Sequence, residues 1–270
     1  MSLLTNMKAL LPTSVQNAIH KAVFPYRHGN RFFRPYVVRG KAMEGETFDL
    51  YIGNREGRAW YDRPCINNPV WREMGFMRDY IVAKGDVVFE VGGHHGVSAI
   101  LLSRWVGPSG RVVTFEPVPS HVRFLRENVH LNRLSNVTVK GEAVGASPGT
   151  ILFDESASGV AVTSPGIPVT VSRLDDYADL APTLLKIDVE GFEVAVLEGA
   201  QRILTTRPKL AIEIHADQIV KYGASVAEIF QLIEWKRYRI WLQERDDQMP
   251  TEYTGPTPPP IHWRGRIFCL

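Results

Sequence analysis

The stretch DVVFEVGGHHGVSAILLSRWV, residues Asp86–Val106, decides how the rest of the chain is read. Its first part is a short run, apolar apart from its ends, as expected of a buried strand. Its last part, Val97–Val106, reads as a helix. Between them Gly92, Gly93 and Gly96 crowd three glycines into five positions, with His94 and His95 among them. A strand, a glycine turn and a helix form the first half of a βαβ unit.

The alternation continues. RVVTFE (Arg111–Glu116) is a strand, and Ser120 caps a helix with Val122, Leu125 and Val129 on one face. NVTVKGEAVG (Asn136–Gly145), TLLKIDVEG (Thr183–Gly191) and PKLAIEIHA (Pro208–Ala216) are further strands. FEVAVLEGAQRIL (Phe192–Leu204) is a helix, and Ser225 with Glu228 forms a capping box for another. YRIWLQE (Tyr238–Glu244) and RGRIFCL (Arg264–Leu270) close the chain as a hairpin-like pair. The expected fold is α/β: a doubly wound, mostly parallel seven-stranded sheet with a C-terminal antiparallel strand pair. Residues 1–84 form an N-terminal extension with an extra strand, TFDLYIG (Thr47–Gly53), and residues 85–270 form the core domain.

The chain has 270 residues, 44% of them hydrophobic, enough for one large α/β domain with an extension. Cys65 and Cys269 lie far apart in sequence and offer neither a metal-ligand spacing nor a disulfide framework, so a reducing cytoplasm is expected. No apolar run approaches the roughly 18 residues needed to span a bilayer. Net charge is +2, but residues 1–43 carry seven bases and no acid, which leaves the remainder net acidic. Such an arm suits peripheral contact with an anionic membrane face, or serves as a solvated lid.

In open α/β sheets, ligands bind beyond the carboxyl ends of the strands. A dinucleotide loop needs glycines at i, i+2 and i+5, and Val91 stands where the first would fall. The pattern that fits is acid-x-Gly-x-x-x-Gly, with Glu90, Gly92 and Gly96. A strand-end acid suits a cationic ligand group better than a pyrophosphate. Glu116, followed by Pro117, ends the second strand where a carboxylate can accept two ribose hydroxyls, and Glu142 with Ala143 ends the third. Adjacent His94 and His95 cannot share a helix face as a zinc pair four residues apart does, and no cysteine or further histidine lies near them in sequence. His94 is expected to hydrogen-bond within the loop and His95 to fill space.

SRLDDY (Ser172–Tyr177), LLKIDVEGFEVAVLEGA (Leu184–Ala200) and PKLAIEIH (Pro208–His215) together resemble the FkbM family of S-adenosylmethionine (SAM)-dependent methyltransferases, over roughly residues 85–215. The family usually reads D-V-G-A-N-x-G at the loop; here Glu90, Gly93 and His94 replace Asp, Ala and Asn. The resemblance implies a Rossmann-like methyltransferase fold and SAM held by Glu90, Gly92, Gly93, His94, Gly96, Glu116, Pro117, Glu142 and Ala143. It also implies methyl transfer to a hydroxyl of a sugar, glycolipid or secondary metabolite. The acidic body and the lack of an aromatic RNA platform argue against a nucleic-acid acceptor.

Lys186, Asp188 and Glu190 alternate with apolar residues, so they share one side of their strand, and Glu213 and His215 do the same on the next. The expected chemistry places His215 as the base for the acceptor hydroxyl, oriented by Asp188. Asp188 acting alone is the rival. A third arrangement holds a divalent ion with Asp188, Glu213 and His215, or with Glu190 in place of Glu213. Lys186 and Glu190 as a structural ion pair, with Glu193 capping the next helix, is the non-catalytic reading. An NAD-dependent oxidoreductase and a non-catalytic SAM-binding module are the alternative functions.

Overall fold

The computed structural model describes residues 33–62, 72–154, 160–162 and 166–270. Most of the basic arm, Cys65 and Trp71 lie outside the described residues. Strands β1 (Tyr36–Met43) and β2 (Glu46–Ile52) form an antiparallel ribbon. Their two-residue turn, Glu44–Gly45, has positive φ at both positions (48° and 80°), the geometry that matches strand twist in tight hairpins. TFDLYIG is therefore a strand, but it pairs with β1 and does not extend the main sheet. Two short helices follow: α1 (Arg55–Gly57, running on as a π-helix to Asp62) and α2 (Arg72–Phe76, running on as a π-helix to Ile81).

The core then alternates as expected. Strand β3 (Val87–Val91) leads into α3 (Val97–Val106), β4 (Arg111–Phe115) into α4 (Pro119–Leu131), and β5 (Val137–Lys140) follows. The N-cap of α4 is Val118, with Pro119 in the first turn, so Ser120 lies inside the helix and does not cap it. Val122 and Leu125 are buried, as the spacing requires.

A second sheet branches off next. Strands β6 (Ala143–Val144), β7 (Gly149–Asp154), β8 (Val160–Val162) and β9 (Ile167–Ser172) pair in the order β6-β9-β7-β8. NVTVKGEAVG thus divides between two sheets, with Gly141 and Glu142 at the crossing.

Strand β10 (Leu184–Ile187) is followed by α5 (Glu193–Glu198) and α6 (Gln201–Leu204). The expected single helix breaks at Gly199, where a Cβ would come within 2.1 Å of the Gly145 carbonyl oxygen. Strand β11 (Lys209–His215), α7 (Ala216–Ile219) and α8 (Val226–Leu232) come next. The Ser225 N–H donates to the Glu228 carboxylate at 2.7 Å, as its capping box predicts. Strands β12 (Ile240–Gln243), β13 (Thr251–Tyr253) and β14 (Arg264–Cys269) finish the chain.

The main sheet has eight strands in the order β13-β12-β14-β11-β10-β3-β4-β5. The five from β11 to β5 are parallel, and β14, β12 and β13 are antiparallel. The closing pair β12 and β14 hydrogen-bond directly, as expected; β13, the eighth strand, adds an outer edge. Alternate residues face two cores. Phe89, Val91, Leu185 and Ile187 pack on one side with α5 and α8. Val88, Val112, Leu184 and Phe268 pack on the other with α3 and the β2 residues Phe48, Leu50 and Ile52.

At the amino ends of the strands, Asp86 is 8% exposed and accepts from Lys209 Nζ (2.5 Å), Thr183 Oγ1 (2.7 Å) and the Ala83 N–H (2.6 Å). Lys209→Met leaves this carboxylate without its counter-charge. The expected cost is about 2 kcal/mol or more, read as a fall in the urea unfolding midpoint. An unchanged midpoint would show that the two remaining hydrogen bonds suffice.

Candidate active site

On the face that carries Val88 and Val112, the carboxyl ends of the strands turn polar. Thr114, Glu90 and Lys186 sit in register on β4, β3 and β10, and Glu213 and Arg266 sit in register on β11 and β14. Above them opens a cavity of about 550 Å³, within the range of small-molecule sites. One end is lined by Glu116, Pro117, Glu142 and Ala143, the other by Lys186, Asp188, Glu190 and Glu213. Tyr61 from α1 and buried Met74 from α2 also line it, with half-exposed Trp60 of α1 at its lip.

The glycine loop is fixed by close packing. Gly92 has φ +95°, and a Cβ there would lie 1.9 Å from the Asp188 carbonyl oxygen. A Cβ on Gly93 would meet Thr114 Oγ1 at 2.2 Å. His94 has φ +47°, a left-handed conformation in which asparagine and histidine are both enriched. That accounts for histidine standing where the family pattern has asparagine. Its backbone N–H donates to Glu116 Oε2 at 2.7 Å, and its Nδ1 shares a hydrogen bond with the Tyr61 hydroxyl at 2.5 Å.

Glu90 is fully buried, with the Ser98 and Thr114 hydroxyls beside its carboxylate. Burial raises its pKa, against the pull of Lys186. It lies under the cavity floor and is not part of the lining. Burial opposes the charge of Lys186, but Asp188 and Glu90 hold its pKa above the ordinary lysine value.

Lys186 Nζ lies 3.7 Å from Asp188, so its ion-pair partner is Asp188 and not Glu190. Burial works against ionised Asp188, yet Lys186, His215 and the arginines Arg266 and Arg264 keep its pKa below the usual aspartate value. Glu190 lies beyond the strand with φ +51°, and its side chain is 61% exposed, so the alternation of three charges along one strand ends at Asp188.

His215 is oriented by a different carboxylate from the one expected. Its Nδ1 lies 2.8 Å from Oε1 of Glu193, a fully buried acid that also accepts the Gly191 N–H at 3.1 Å. Glu193 therefore turns back to the imidazole and the Gly191 turn. Burial opposes protonation of His215, but Glu193, Glu190 and Asp188 raise its pKa to about 9. A pKa raised in this way favours the protonated ring at neutral pH, which argues against the role of proton acceptor expected of it. It lines a neighbouring cavity with Asp217, His262 and Trp263.

Asp188, Glu213 and His215 do bring one ligand atom each within 4.8 Å of one another. Two cations already claim Glu213, however: Arg264 Nε at 2.8 Å and Arg266 Nε at 3.0 Å. These two guanidiniums occupy both oxygens of Glu213 and make the group a poor host for a dication.

Residues 90–240 match the family described as the methyltransferase FkbM domain. The chain belongs to the FkbM methyltransferase family. Two curated relatives align with about half of it. A protein-L-isoaspartate O-methyltransferase of Methanothrix thermoacetophila is 36% identical over 143 residues, 47% of this chain and 64% of the relative. The hexuronic acid methyltransferase AglP of Haloferax volcanii is 29% identical over 140 residues, 48% of this chain and 56% of the relative. The chain thus spans less than two thirds of the length of these relatives. Among solved structures, the FkbM methyltransferase of Methylobacillus flagellatus KT aligns with 68% of this chain and 43% of its own. It does so at 22% identity and a TM-score of 0.47.

In this FkbM-family chain the fold supplies residues that its sequence motifs did not single out. Glu56, Tyr61 and His121 reach the loop from α1 and α4, and Arg264 and Arg266 reach Glu213 from β14. Glu193 stood inside the recognised run, but nothing local in sequence told that it faces His215, 22 residues away.

Proposed function

We propose that the chain is a SAM-dependent O-methyltransferase whose acceptor is a hydroxyl of a sugar, glycolipid or secondary metabolite. The observation that carries this reading is one continuous cavity with Glu116, Glu142 and Ala143 at one end and ionised Asp188 at the other.

The residues fit the cofactor. Glu116 Oε2 takes one hydrogen bond, from the His94 N–H, and so keeps a lone pair for a ribose hydroxyl. Glu142 and Ala143 line the end taken by the adenine, and the Lys186 ammonium in the opposite lining suits the methionyl carboxylate, with buried Glu90 as its counter-charge. When bound, SAM supplies an electrophilic methyl group on a sulfonium. Asp188 holds the acceptor hydroxyl in line and takes its proton as the oxygen–carbon bond forms. Lys186, 3.7 Å away, keeps that carboxylate ionised, and His215 with Glu193 fixes the wall behind it. Trp60, 49% exposed on the lip, offers an aromatic face for a sugar ring. The AglP likeness supports a uronic acid as the first acceptor to try.

Thermal-shift titration with SAM, S-adenosylhomocysteine and NADH tests the cofactor, and labelled-methyl transfer to a panel of sugars and uronic acids tests the reaction. Asp188→Asn is expected to lower turnover at least about 100-fold while leaving SAM affinity within a few-fold. Normal turnover in that variant removes Asp188 from the chemistry. NADH binding without SAM binding would favour the oxidoreductase, and SAM binding without transfer would favour the non-catalytic module.

A further inference from the structure

We propose that Glu56, His94, His95 and His121 form a binding site for a zinc-type divalent transition metal, which ties α1 to the glycine loop and α4. Each residue offers one donor atom, and the four atoms lie within 4.8 Å of one another. Three imidazoles and one carboxylate make a four-coordinate zinc set, and imidazole donors select zinc, cobalt, nickel or copper over magnesium and calcium. The adjacency of His94 and His95 argues against a site only while their sequence neighbours are considered. The fold brings His121 from α4 and Glu56 from α1 to the same point.

Three details go beyond proximity. His95 is 2% exposed, and among the described residues neither ring nitrogen has a hydrogen-bond partner. A buried ring nitrogen left unpaired is costly, and a metal bond would satisfy one of the two. Gly57 leaves room for the ring, since a Cβ there would come within 2.9 Å of its Cε1 and Nδ1.

The outer contacts are those of metal-bound histidines. His121 Nε2 faces Glu56 Oε2 at 3.2 Å, while its Nδ1 lies 3.5 Å from Glu116. His94 turns its Nε2 toward Glu56 at 3.7 Å, while its Nδ1 bonds the Tyr61 hydroxyl. In both rings one nitrogen is anchored by an oxygen and the other points into the cluster, as in carboxylate–histidine–metal arrangements. The three ring centroids lie 4.2, 4.5 and 5.0 Å apart, so the rings gather at one point.

This site is separate from Asp188, Glu213 and His215 and does not depend on the methyl-transfer reading. The full chain, purified without a histidine tag and stripped with chelator, is titrated with zinc and with cobalt(II). The expected result is about one metal per chain by elemental mass spectrometry, the intense visible absorption of four-coordinate cobalt, and a raised Tm. His121→Asn and the partly exposed Glu56→Gln should each weaken binding at least about 100-fold, more than loss of an outer-sphere partner does. His215→Asn should keep the stoichiometry of the parent. Circular dichroism identifies any variant that has not folded, and Glu56→Gln then carries the test. Stripped protein that takes up no metal, a six-coordinate cobalt spectrum, or loss of binding in His215→Asn with retention in Glu56→Gln would each overturn the proposal.

Discussion

Gly92→Ala is expected to collapse both the loop and the strand ends it joins. The added methyl would sit 1.9 Å from the carbonyl oxygen of Asp188, at a residue whose φ is +95°. Backbone cannot swing aside as a side chain can, because Asp188 N–H is itself bonded to Val91 O at 2.9 Å and Gly92 N–H to Phe115 O at 2.9 Å. The left-handed conformation costs alanine roughly 1–2 kcal/mol, and overpacking adds about 1–3 kcal/mol more. A fall in Tm of roughly 5–20 °C follows for a domain of this size. SAM affinity should fall with it, because the displaced segment carries Asp188 and the loop to Glu116. Calorimetry with a SAM titration of the folded fraction checks both. A Tm within about 2 °C of the parent would mean that the β3–β10 junction gives way easily.

Glu193→Gln is expected to destabilise the protein most where His215 is charged. In the parent, His215 is raised to about 9 from an unfolded value of about 6.5. A group raised on folding contributes its full stabilisation below the unfolded pKa and loses it as pH rises through the folded one. That contribution is present below about pH 6.5 and gone above about pH 9, and the shift corresponds to about 3 kcal/mol. Glutamine keeps the shape but removes the charge that holds the imidazolium. The expected loss is about 3–5 kcal/mol at pH 6, narrowing sharply by pH 10, where His215 is neutral in both proteins. In the metal-free protein used for this comparison, His121, also raised to about 9 by Glu116 and Glu56 against its burial, is common to both and cancels from the difference. Urea unfolding at the two pH values gives the comparison, and NMR titration should find the His215 pKa lowered in the variant. Equal destabilisation at pH 6 and pH 10 would mean that the 2.8 Å contact is a neutral hydrogen bond.

The parallel core was legible because each signal was local. Val87–Val91 and Arg111–Phe115 are short apolar runs between turn residues, and Val97–Val106 opens directly after a glycine. Ser225 and Glu228 lie three residues apart, so their capping box needs no knowledge of the fold. Ser120 misled because proline at the first helical position sets the start of α4 without a side-chain cap. The break at Gly199 was hidden because its cause is Gly145, 54 positions earlier in the chain.

The same division runs through the site. The strand-end acids Glu90, Glu116 and Asp188 and the glycines between them could be read from sequence, because a parallel sheet places loop residues at its carboxyl edge whatever packs around them. Partners could not be read that way. Lys186 could have paired with Glu190 or Asp188, and His215 with any of four acids, until the turn at Glu190 and the burial of Glu193 chose between them. His94 and His95 looked like a pair without company, because the approach of Glu56 and His121 depends on how α1 and α4 dock. Sequence determined which groups stand at the ends of the strands, since that follows from alternation along the backbone. Only the tertiary structure decided which charge faces which, because contacts between elements form through packing, and packing places side chains that lie tens of residues apart within hydrogen-bonding distance.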